Sequence, residues 1–169
     1  MYVGGTQMDE QEKRLHRVCF TGHRPEKLTR FEWLIKKDLE KEIKKAIEDG
    51  LTVFISGMAR GVDIWAAEIV LKLRDAGKPV RLICASPYEG FESRWEQDWK
   101  DRYHDILNKA DHTVYVCKHY SRGCFQIRNE WMVDHSARVI AVFNGEKSET
   151  KNTIDYAKRK DVDISFING

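Results

Sequence analysis

The chain has 169 residues, of which 41% are hydrophobic and 33% are charged, and its formal net charge is +2 at pH 7. These values exclude a disordered chain and give no indication of a strongly basic nucleic-acid-binding protein, and no apolar run approaches the roughly 20 residues of a membrane-spanning helix. Residues 1–16 are polar and unlike a signal peptide. We therefore expect a flexible N-terminal lead-in, a cytoplasmic location and one domain over residues 17–169.

Strand-like and helix-like segments alternate along the rest of the chain. In chain order, the sequence predicts strands at 17–21, 51–55, 80–85, 112–117, 138–143 and 162–167, and helices at 27–48, 62–76, 92–110, 125–135 and 151–160. Mostly apolar strands that are separated by helices are typical of a parallel sheet covered on both faces. The fold class that we predict is α/β: a three-layer Rossmann-like fold with a mainly parallel sheet and helices on both faces.

Residues suited to a charged ligand cluster in the segments that follow the predicted strands. In an open parallel sheet, ligands bind outside the carboxyl ends of the strands, so this clustering indicates a binding site at that edge. The residues that we expect to bind the ligand or its phosphate are Gly22, His23, Arg24, Ser56, Gly57, Arg60, Gly61, Asp63, Ser86, Tyr88, Arg128, Asn144 and Gly145.

The segment SGMARGVD at residues 56–63 is the most specific of these. Gly57 and Gly61 allow a tight turn and a close approach of the backbone to a ligand. Gly61 would open a buried helix whose free N–H groups point to the sheet edge, and Arg60 adds a guanidinium suited to phosphate. We favour anion binding over an ordinary strand-to-helix turn. Asp63 either stabilises the first helical turn or contacts a ribose or a reacting atom.

Three other features are open to two interpretations each. The Gly-His-Arg run at residues 22–24 forms either a phosphate cradle or a surface loop. Arg128 either faces a phosphate or lies on a solvated helix face. Trp95 and Trp99, four residues apart on a predicted helix, either stack on a base or, as we favour, pack in the core.

The cysteines and histidines do not predict a metal site. Cys19 and Cys84 lie in predicted strands, where a reduced cysteine behaves as a small core residue. The histidines and cysteines between residues 112 and 124 have none of the usual zinc-site spacings, so we expect no metal. The P-loop motif, the dinucleotide-binding glycine motif and the serine-hydrolase elbow are absent from the sequence.

Four segments together resemble one known family. They are TGHRP at residues 21–25, SGMARGVD at 56–63, SPYEGF at 86–91 and RNEWMVDHSARVIAVFNG at 128–145. In combination they resemble the YpsA-like family of the SLOG superfamily, which has Rossmann-like domains and includes DNA-processing protein A and the LOG-type phosphoribohydrolases. The resemblance implies a small-molecule ligand derived from a nucleotide, such as ADP-ribose or an NAD-like molecule. It also implies a homodimer, since related domains often pair through helices beside the sheet.

We expect the protein to bind or sense such a ligand in a regulatory role, passing its occupancy to an unknown protein partner and requiring no cofactor. The alternative is an N-glycoside-cleaving hydrolase, for which Asp63, Glu68 and Glu130 are the candidate catalytic residues. Arg128 resembles a catalytic arginine of the LOG branch, but the glutamate element of that branch is not intact at residues 144–150. A third alternative is single-stranded DNA binding, against which the near-neutral charge argues.

Overall fold

The computed structural model describes residues 8–169, which contain one sheet of six strands. Every adjacent pair is parallel, and the strand order is β4-β3-β2-β1-β5-β6. Helices cover both faces, so the predicted three-layer α/β fold is confirmed. The strands are β1 (Arg17–Gly22), β2 (Val53–Ser56), β3 (Arg81–Ser86), β4 (His112–Tyr115), β5 (Arg138–Phe143) and β6 (Asp163–Asn168).

Each face of the sheet carries its own hydrophobic core. The helices are α1 (Glu10–Arg14), α2 (Glu32–Glu48), α3 (Val62–Asp75), α4 (Gln97–Lys109), α5 (Cys124–Asp134) and α6 (Glu149–Arg159). The larger core joins α2, α3 and α4 to residues such as Phe20, Phe54 and Ile140 on one face. The smaller core joins α5 and α6 to Cys19 and Ile55 on the other face. Across residues 8–169, none of the helices combines the length and the apolar character that crossing a membrane requires.

The order of the strands reverses at β1, which makes the end of β1 the natural place for a ligand. From β1 the chain builds outward through β2, β3 and β4, and then returns to place β5 on the other side of β1. Gly22, the last residue of β1, pairs with Val142 of β5. After β1 and β5 the chain continues into helices on opposite faces of the sheet, and a ligand crevice is expected at such a point.

Several element boundaries differ from the sequence prediction. The helix predicted from residue 27 begins at Glu32, because Pro25–Lys27 form a separate 3-10 turn. The helix predicted from residue 92 begins at Gln97, because Glu96 is extended, with φ −60° and ψ 151°. Trp95 therefore lies in a turn, so Trp95 and Trp99 are not neighbours on one helix.

The N-terminal lead-in also contains a short helix. Residues 1–7 lie outside the described residues. Asp9 is the N-cap of α1, and its side chain and that of Glu12 form a reciprocal capping box. None of the residues of α1 is buried, and Arg17 reaches back to Glu10 at 3.2 Å. Local capping and this ion pair hold the helix, since no core contact does.

The burial of Leu39 on α2 predicts that its truncation destabilises the fold far more than truncation of Leu15, which lies outside α2. Leu39 is fully buried, whereas Leu15 is 60% exposed. We expect Leu39→Ala to lower the free energy of unfolding by about 2–5 kcal/mol, because the lost methyl groups leave a cavity. Leu15→Ala should change it by less than about 0.5 kcal/mol. Urea unfolding followed by circular dichroism would measure both, and equal effects would contradict the assignment of α2 to the core.

Candidate ligand-binding site

A cavity of about 180 Å³ opens at the carboxyl edge of the sheet. It lies at the strand-order reversal, and the segments after β1, β2, β3, β4 and β5 all contribute to its wall. After β4 and β5 the lining residues belong to α5 and α6, and none comes from residues 118–123 or 144–148. The lining residues are Phe20, Thr21, Gly22, Arg24, Ala59, Arg60, Asp63, Tyr88, Phe91, Trp95, Phe125, Arg128, Asn129, Glu149 and Thr150.

The loop between β2 and α3 forms one side of the cavity and is held by its own hydrogen bonds. The hydroxyl of Ser56 donates to the backbone carbonyl of Asp63 at 2.9 Å and accepts from the N–H of Met58 at 3.2 Å. Met58 has a φ of 63° and is fully buried. A non-glycine residue in this left-handed conformation persists only where the surrounding structure enforces it. The loop is thus a packed and ordered part of the site.

Gly57 allows two charged side chains to meet above the loop. A Cβ atom at this position would lie 2.9 Å from Oδ2 of Asp63 and 3.1 Å from Cζ of Arg128. One guanidinium nitrogen of Arg128 donates to the carbonyl of Gly57, and its Nε donates to Oδ1 of Asn129 at 2.8 Å. A side chain at position 57 would displace this arrangement.

Burial governs the electrostatics of Asp63 and Arg128. Asp63 is 6% exposed and Arg128 is 4% exposed. Burial raises the pKa of Asp63 to about 6, and the attraction of Arg128 and a hydrogen bond from the N–H of Ala59 offset only part of that rise. Burial also lowers the pKa of Arg128, and the attraction of Asp63 opposes this change. The cost of desolvation therefore exceeds the attraction between the two groups.

The two oxygens of Asp63 have different surroundings. Oδ2 accepts the N–H of Ala59 at 3.2 Å. Oδ1 is buried and has no hydrogen-bond partner among residues 8–169. A buried carboxylate oxygen without a hydrogen-bond partner is costly in free energy, so Oδ1 adds to the cost of burying Asp63.

Two more arginines line the cavity nearer to solvent. Arg24 is exposed, and Arg60 is paired with the exposed Glu26 at 3.3 Å. Such a solvent-exposed pair contributes little to stability, so the Arg60 guanidinium can exchange Glu26 for a ligand anion at small cost.

Aromatic rings form the wall on the β3 side. The ring of Phe91 is 6.0 Å from Tyr88, 4.9 Å from Trp95 and 5.9 Å from Phe125, measured between ring centres. Tyr120 is 64% exposed and stands 5.8 Å from Tyr88, which extends the wall to the surface. The sequence pointed only to Tyr88 and to Trp95 as an alternative to core packing. The run of aromatic residues after β3 and β4 is the signal that could have found the rest.

Six of the predicted binding residues line the cavity: Gly22, Arg24, Arg60, Asp63, Tyr88 and Arg128. Gly57 lies directly behind Asp63 and Arg128 and acts through them. Gly61 is the N-cap of α3 and has a φ of 90°, and a Cβ there would lie 2.9 Å from Cδ of Pro25. It joins the β1 and β2 loops and does not line the cavity.

Other predicted binding residues have partners within the protein. The hydroxyl of Ser86 shares a hydrogen bond of 2.6 Å with Tyr103, and Ser56 holds the β2 loop as described above. Nε2 of His23 accepts the N–H of Asn144 at 3.2 Å, and the imidazole stacks on Phe143.

These contacts connect the β1 and β5 loops behind the cavity. Burial lowers the pKa of His23, which favours the neutral ring that can accept this hydrogen bond. Asn144 donates to the carbonyl of Lys27 and accepts from Glu146, and Gly145 forms the turn between them with a φ of 91°. His23, Asn144 and Gly145 therefore shape the edge without lining the cavity.

Of the three candidate catalytic carboxylates, only Asp63 lines the cavity. Glu68 forms an ion pair with Arg102 of α4, on the outer side of α3. Glu130 accepts a hydrogen bond from Gln126 on the same helix.

The lining residues that sequence reasoning missed lie mainly at the starts of α5 and α6. Asn129 and Thr150 are almost fully buried, and Glu149 is the first residue of α6. Their position after predicted strands four and five is the signal that could have identified them.

The chain is similar in sequence to one known family and to its members. The model of the YspA SLOG family matches residues 18–168. A UPF0398 protein of Bacillus cereus strain G9842 is 31% identical over 153 residues, which cover 85% of this chain and 83% of that protein. A UPF0398 protein of Halalkalibacterium halodurans is 34% identical over 115 residues, covering 67% of this chain. This chain spans only 61% of the length of that relative.

Two solved structures share the fold. DNA processing protein A from Helicobacter pylori, which has a unique single-stranded DNA binding mode, superposes with a TM-score of 0.67 and 20% identity over 95% of this chain and 68% of its own. The protein of the same name from Streptococcus pneumoniae has a TM-score of 0.67 and 21% identity over 92% of this chain. This chain spans 51% of the streptococcal protein.

The geometry at Gly61 predicts that a side chain there destabilises the protein more than a side chain at Gly77. Both have φ near +90°, but a Cβ at Gly77 would meet nothing within 4 Å. Gly61→Ala should therefore lower the free energy of unfolding by about 1–3 kcal/mol more than Gly77→Ala, because only the former adds a clash to the same backbone strain. Thermal unfolding of both variants tests this. Equal losses of unfolding free energy would show that the contact between residue 61 and Pro25 does not contribute to the difference.

The buried charge at Asp63 predicts that its neutral analogue is more stable. The folded protein holds the proton of Asp63 with a pKa of about 6, against an ordinary value of 3.8, so folding is favoured below about pH 4 and loses that contribution as the pH rises through 6. Near pH 8, Asp63→Asn should raise the free energy of unfolding by about 3 kcal/mol, and the gain should shrink toward pH 4. Arg128 faces Asp63 both when that group is a carboxylate and when it is protonated.

Urea unfolding at several pH values would measure the effect, with Asp75→Asn as the control. Asp75 lies exposed at the other end of α3 and should give no gain at any pH. A loss of stability near pH 8 in Asp63→Asn would instead mean that the charge of Asp63 stabilises the first turn of α3.

Proposed function

The chain belongs to the YspA SLOG family, and we propose that it binds a nucleotide or nucleotide-derived molecule in the cavity at the carboxyl edge of its sheet. The observation that carries this proposal is the meeting of arginines and aromatic rings in one cavity. A phosphate and a base require these two kinds of surface side by side.

The cationic side fits a phosphate group. Arg24 and Arg60 line the cavity close to solvent, and α3 begins beside them at Val62 with backbone N–H groups that have no partner within the helix. Arginine offers a planar fork of donors that matches phosphate oxygens. Arg128 lies deeper and is already bonded to Gly57 and Asn129, so it contributes mainly positive charge.

The aromatic side fits a base. Tyr88, Phe91, Trp95 and Phe125 line the cavity, and Tyr120 stands exposed at its edge. Stacking of a base on an aromatic side chain contributes about 1–3 kcal/mol and is tolerant of base identity. The geometry therefore supports recognition of a nucleotide in general more strongly than recognition of one particular base.

Loss of one rim arginine should weaken binding. We expect Arg60→Ala to reduce nucleotide affinity about 10- to 100-fold, because a charge-assisted hydrogen bond to phosphate is lost. Isothermal titration with AMP, ADP, ATP, NAD, ADP-ribose and cyclic nucleotides would measure the effect. Arg81→Ala is the matched control, because Arg81 is exposed at the opposite end of the sheet. If none of these molecules binds the wild type, or if Arg60→Ala leaves affinity unchanged, this use of the cavity is wrong.

Single-stranded DNA is the second candidate ligand. The observation in its favour is the shared fold with DNA processing protein A, since arginines and stacking rings also fit one unit of a single strand. The net charge of +2 weighs against it, because an extended strand requires many basic contacts. Fluorescence anisotropy with a labelled oligothymidylate distinguishes the two. Tight binding that falls steeply between about 50 and 200 mM salt, with no nucleotide binding, would favour DNA.

Hydrolysis of an N-glycosidic bond is a chemical extension of the first candidate, and the placement of Asp63 favours it. A carboxylate with a pKa of about 6 in the cavity can take a proton from a water as that water attacks the anomeric carbon. The C–N bond then breaks, and Asp63 returns the proton to the departing base. Chromatography of the bound nucleotides after incubation tests this directly. Release of free base by the wild type but not by Asp63→Asn would establish an enzyme, and intact nucleotide would leave a binding protein.

A further inference from the structure

A second concave surface lies at the amino edge of the sheet, opposite the cavity described above. It is a groove of about 910 Å³, formed by the starts of β1, β2, β3 and β4 together with α1. Across residues 8–169, none of its lining residues comes from α5 or α6, and none also lines the cavity at the carboxyl edge. The groove is therefore separate from the proposed nucleotide site.

The groove exists because the helices leave the first row of the sheet uncovered. Ile55 and Ile83 are register neighbours, and both pack with the smaller core beneath α5 and α6. The row two positions earlier consists of Arg17, Val53 and Arg81, which are also in register. Since side chains alternate between the two faces of a strand, this row lies on the same face. A valine flanked by two arginines thus forms the open end of that face.

The positive charge of the groove is not neutralised within the protein. Four of its lining residues are lysines or arginines, and its one carboxylate, Asp111, already binds an arginine of α3 and a backbone N–H of β3. Among residues 8–169, Lys78 and Arg81 form no ion pair. Arg17 pairs with Glu10, whose side chain is 66% exposed, and such a pair exchanges its partner at small cost. The groove therefore attracts an acidic partner.

The floor between the cations is apolar. Val53, Pro79, Val80 and Ile83 line it. Within residues 8–169, no side chain of the groove carries a phenyl, phenol or indole ring on which a base could stack. An apolar floor between positive charges matches an amphipathic protein segment whose acidic residues flank apolar ones.

The spacing of the two arginines fits a helix that crosses the strands. Neighbouring strands lie about 4.8 Å apart, so the backbones at Arg17 and Arg81, on either side of Val53, are about 10 Å apart. A helix rises about 1.5 Å per residue, which places positions i and i+7 about 10 Å apart on one face, with i+3 and i+4 between them.

We propose that the groove binds an amphipathic helix of a partner protein, with carboxylates at positions i and i+7 and apolar side chains at i+3 and i+4. The two carboxylates pair with Arg17 and Arg81. The apolar side chains pack on Val53, which is otherwise left half-buried.

Fluorescence anisotropy with labelled peptides tests the inference on the full chain. The probe is an Ala-rich helical peptide of about 15 residues, with Glu at i and i+7 and Leu at i+3 and i+4. A second peptide has Gln in place of both Glu residues. We expect the wild type to bind the Glu peptide at least about 10-fold more tightly than the Gln peptide, because two charge-assisted pairs are lost.

A reversal of charge at Arg81 places the peptide in the groove. Arg81 is exposed, so Arg81→Glu should keep the fold, which circular dichroism checks. We expect this variant to bind the Glu peptide about 10-fold more weakly, and one of the two peptides with a single Glu-to-Lys change should recover the loss. Lys37→Glu makes the same change of charge on exposed α2, across the sheet, and should bind as the wild type does.

Several results would overturn the inference. They are the absence of binding of the Glu peptide to the wild type, equal affinity for the Glu and Gln peptides, or unchanged affinity in folded Arg81→Glu. Binding of an oligothymidylate that Arg81→Glu abolishes would assign the groove to nucleic acid. A dimer that Arg81→Glu dissociates in sedimentation would assign it to a second copy of the chain. Nucleotide affinity should be the same in Arg81→Glu and the wild type, so this inference and the proposed function fail independently.

Discussion

The carboxylate of Asp63 and the guanidinium of Arg128 are both buried beside the end of β2. The free-energy cost of their desolvation constrains the structure of this edge of the sheet. Desolvation raises one pKa and lowers the other in spite of their attraction. The backbone therefore has to approach closely enough to bond them, and it does so through the carbonyl of Gly57 and the N–H of Ala59. The left-handed Met58 and the glycine at 57 follow from this approach, because a regular turn would not bring both groups of the backbone to the pair.

The sequence predicted the layers well because they depend on local pattern. The continuous apolar run of β5 predicted its limits without error, and the buried α3 was placed to within one residue at its end. The starts of α2 and α4 were predicted five residues too early. In both cases apolar residues continue at helical spacing beyond the helix, but Pro25–Lys27 form a separate turn and an extended Glu96 sets the start of α4. Such choices depend on contacts with distant loops, which periodicity does not contain.

The sequence predicted the location of the cavity better than it predicted the side chains that line it. A parallel sheet brings every strand end to one edge, so the convergence of the five segments followed from the fold. Which polar residues would bond within the protein did not follow. Ser86 forms a hydrogen bond with Tyr103, which is 17 positions away in the chain. His23 forms one with Asn144, which is 121 positions away. Asn129 and Thr150 were missed for the same reason, since only the packing of α5 and α6 turns them toward the cavity.

The cavity draws its walls from both sides of the sheet. Phe91 and Trp95 pack against the core beneath α2, α3 and α4, whereas Arg128 and Thr150 start from helices whose inner faces hold the opposite core. A molecule bound between them would contact residues that belong to both helical layers. It would therefore restrain the motion of one layer relative to the other, in addition to the restraint that the strands provide.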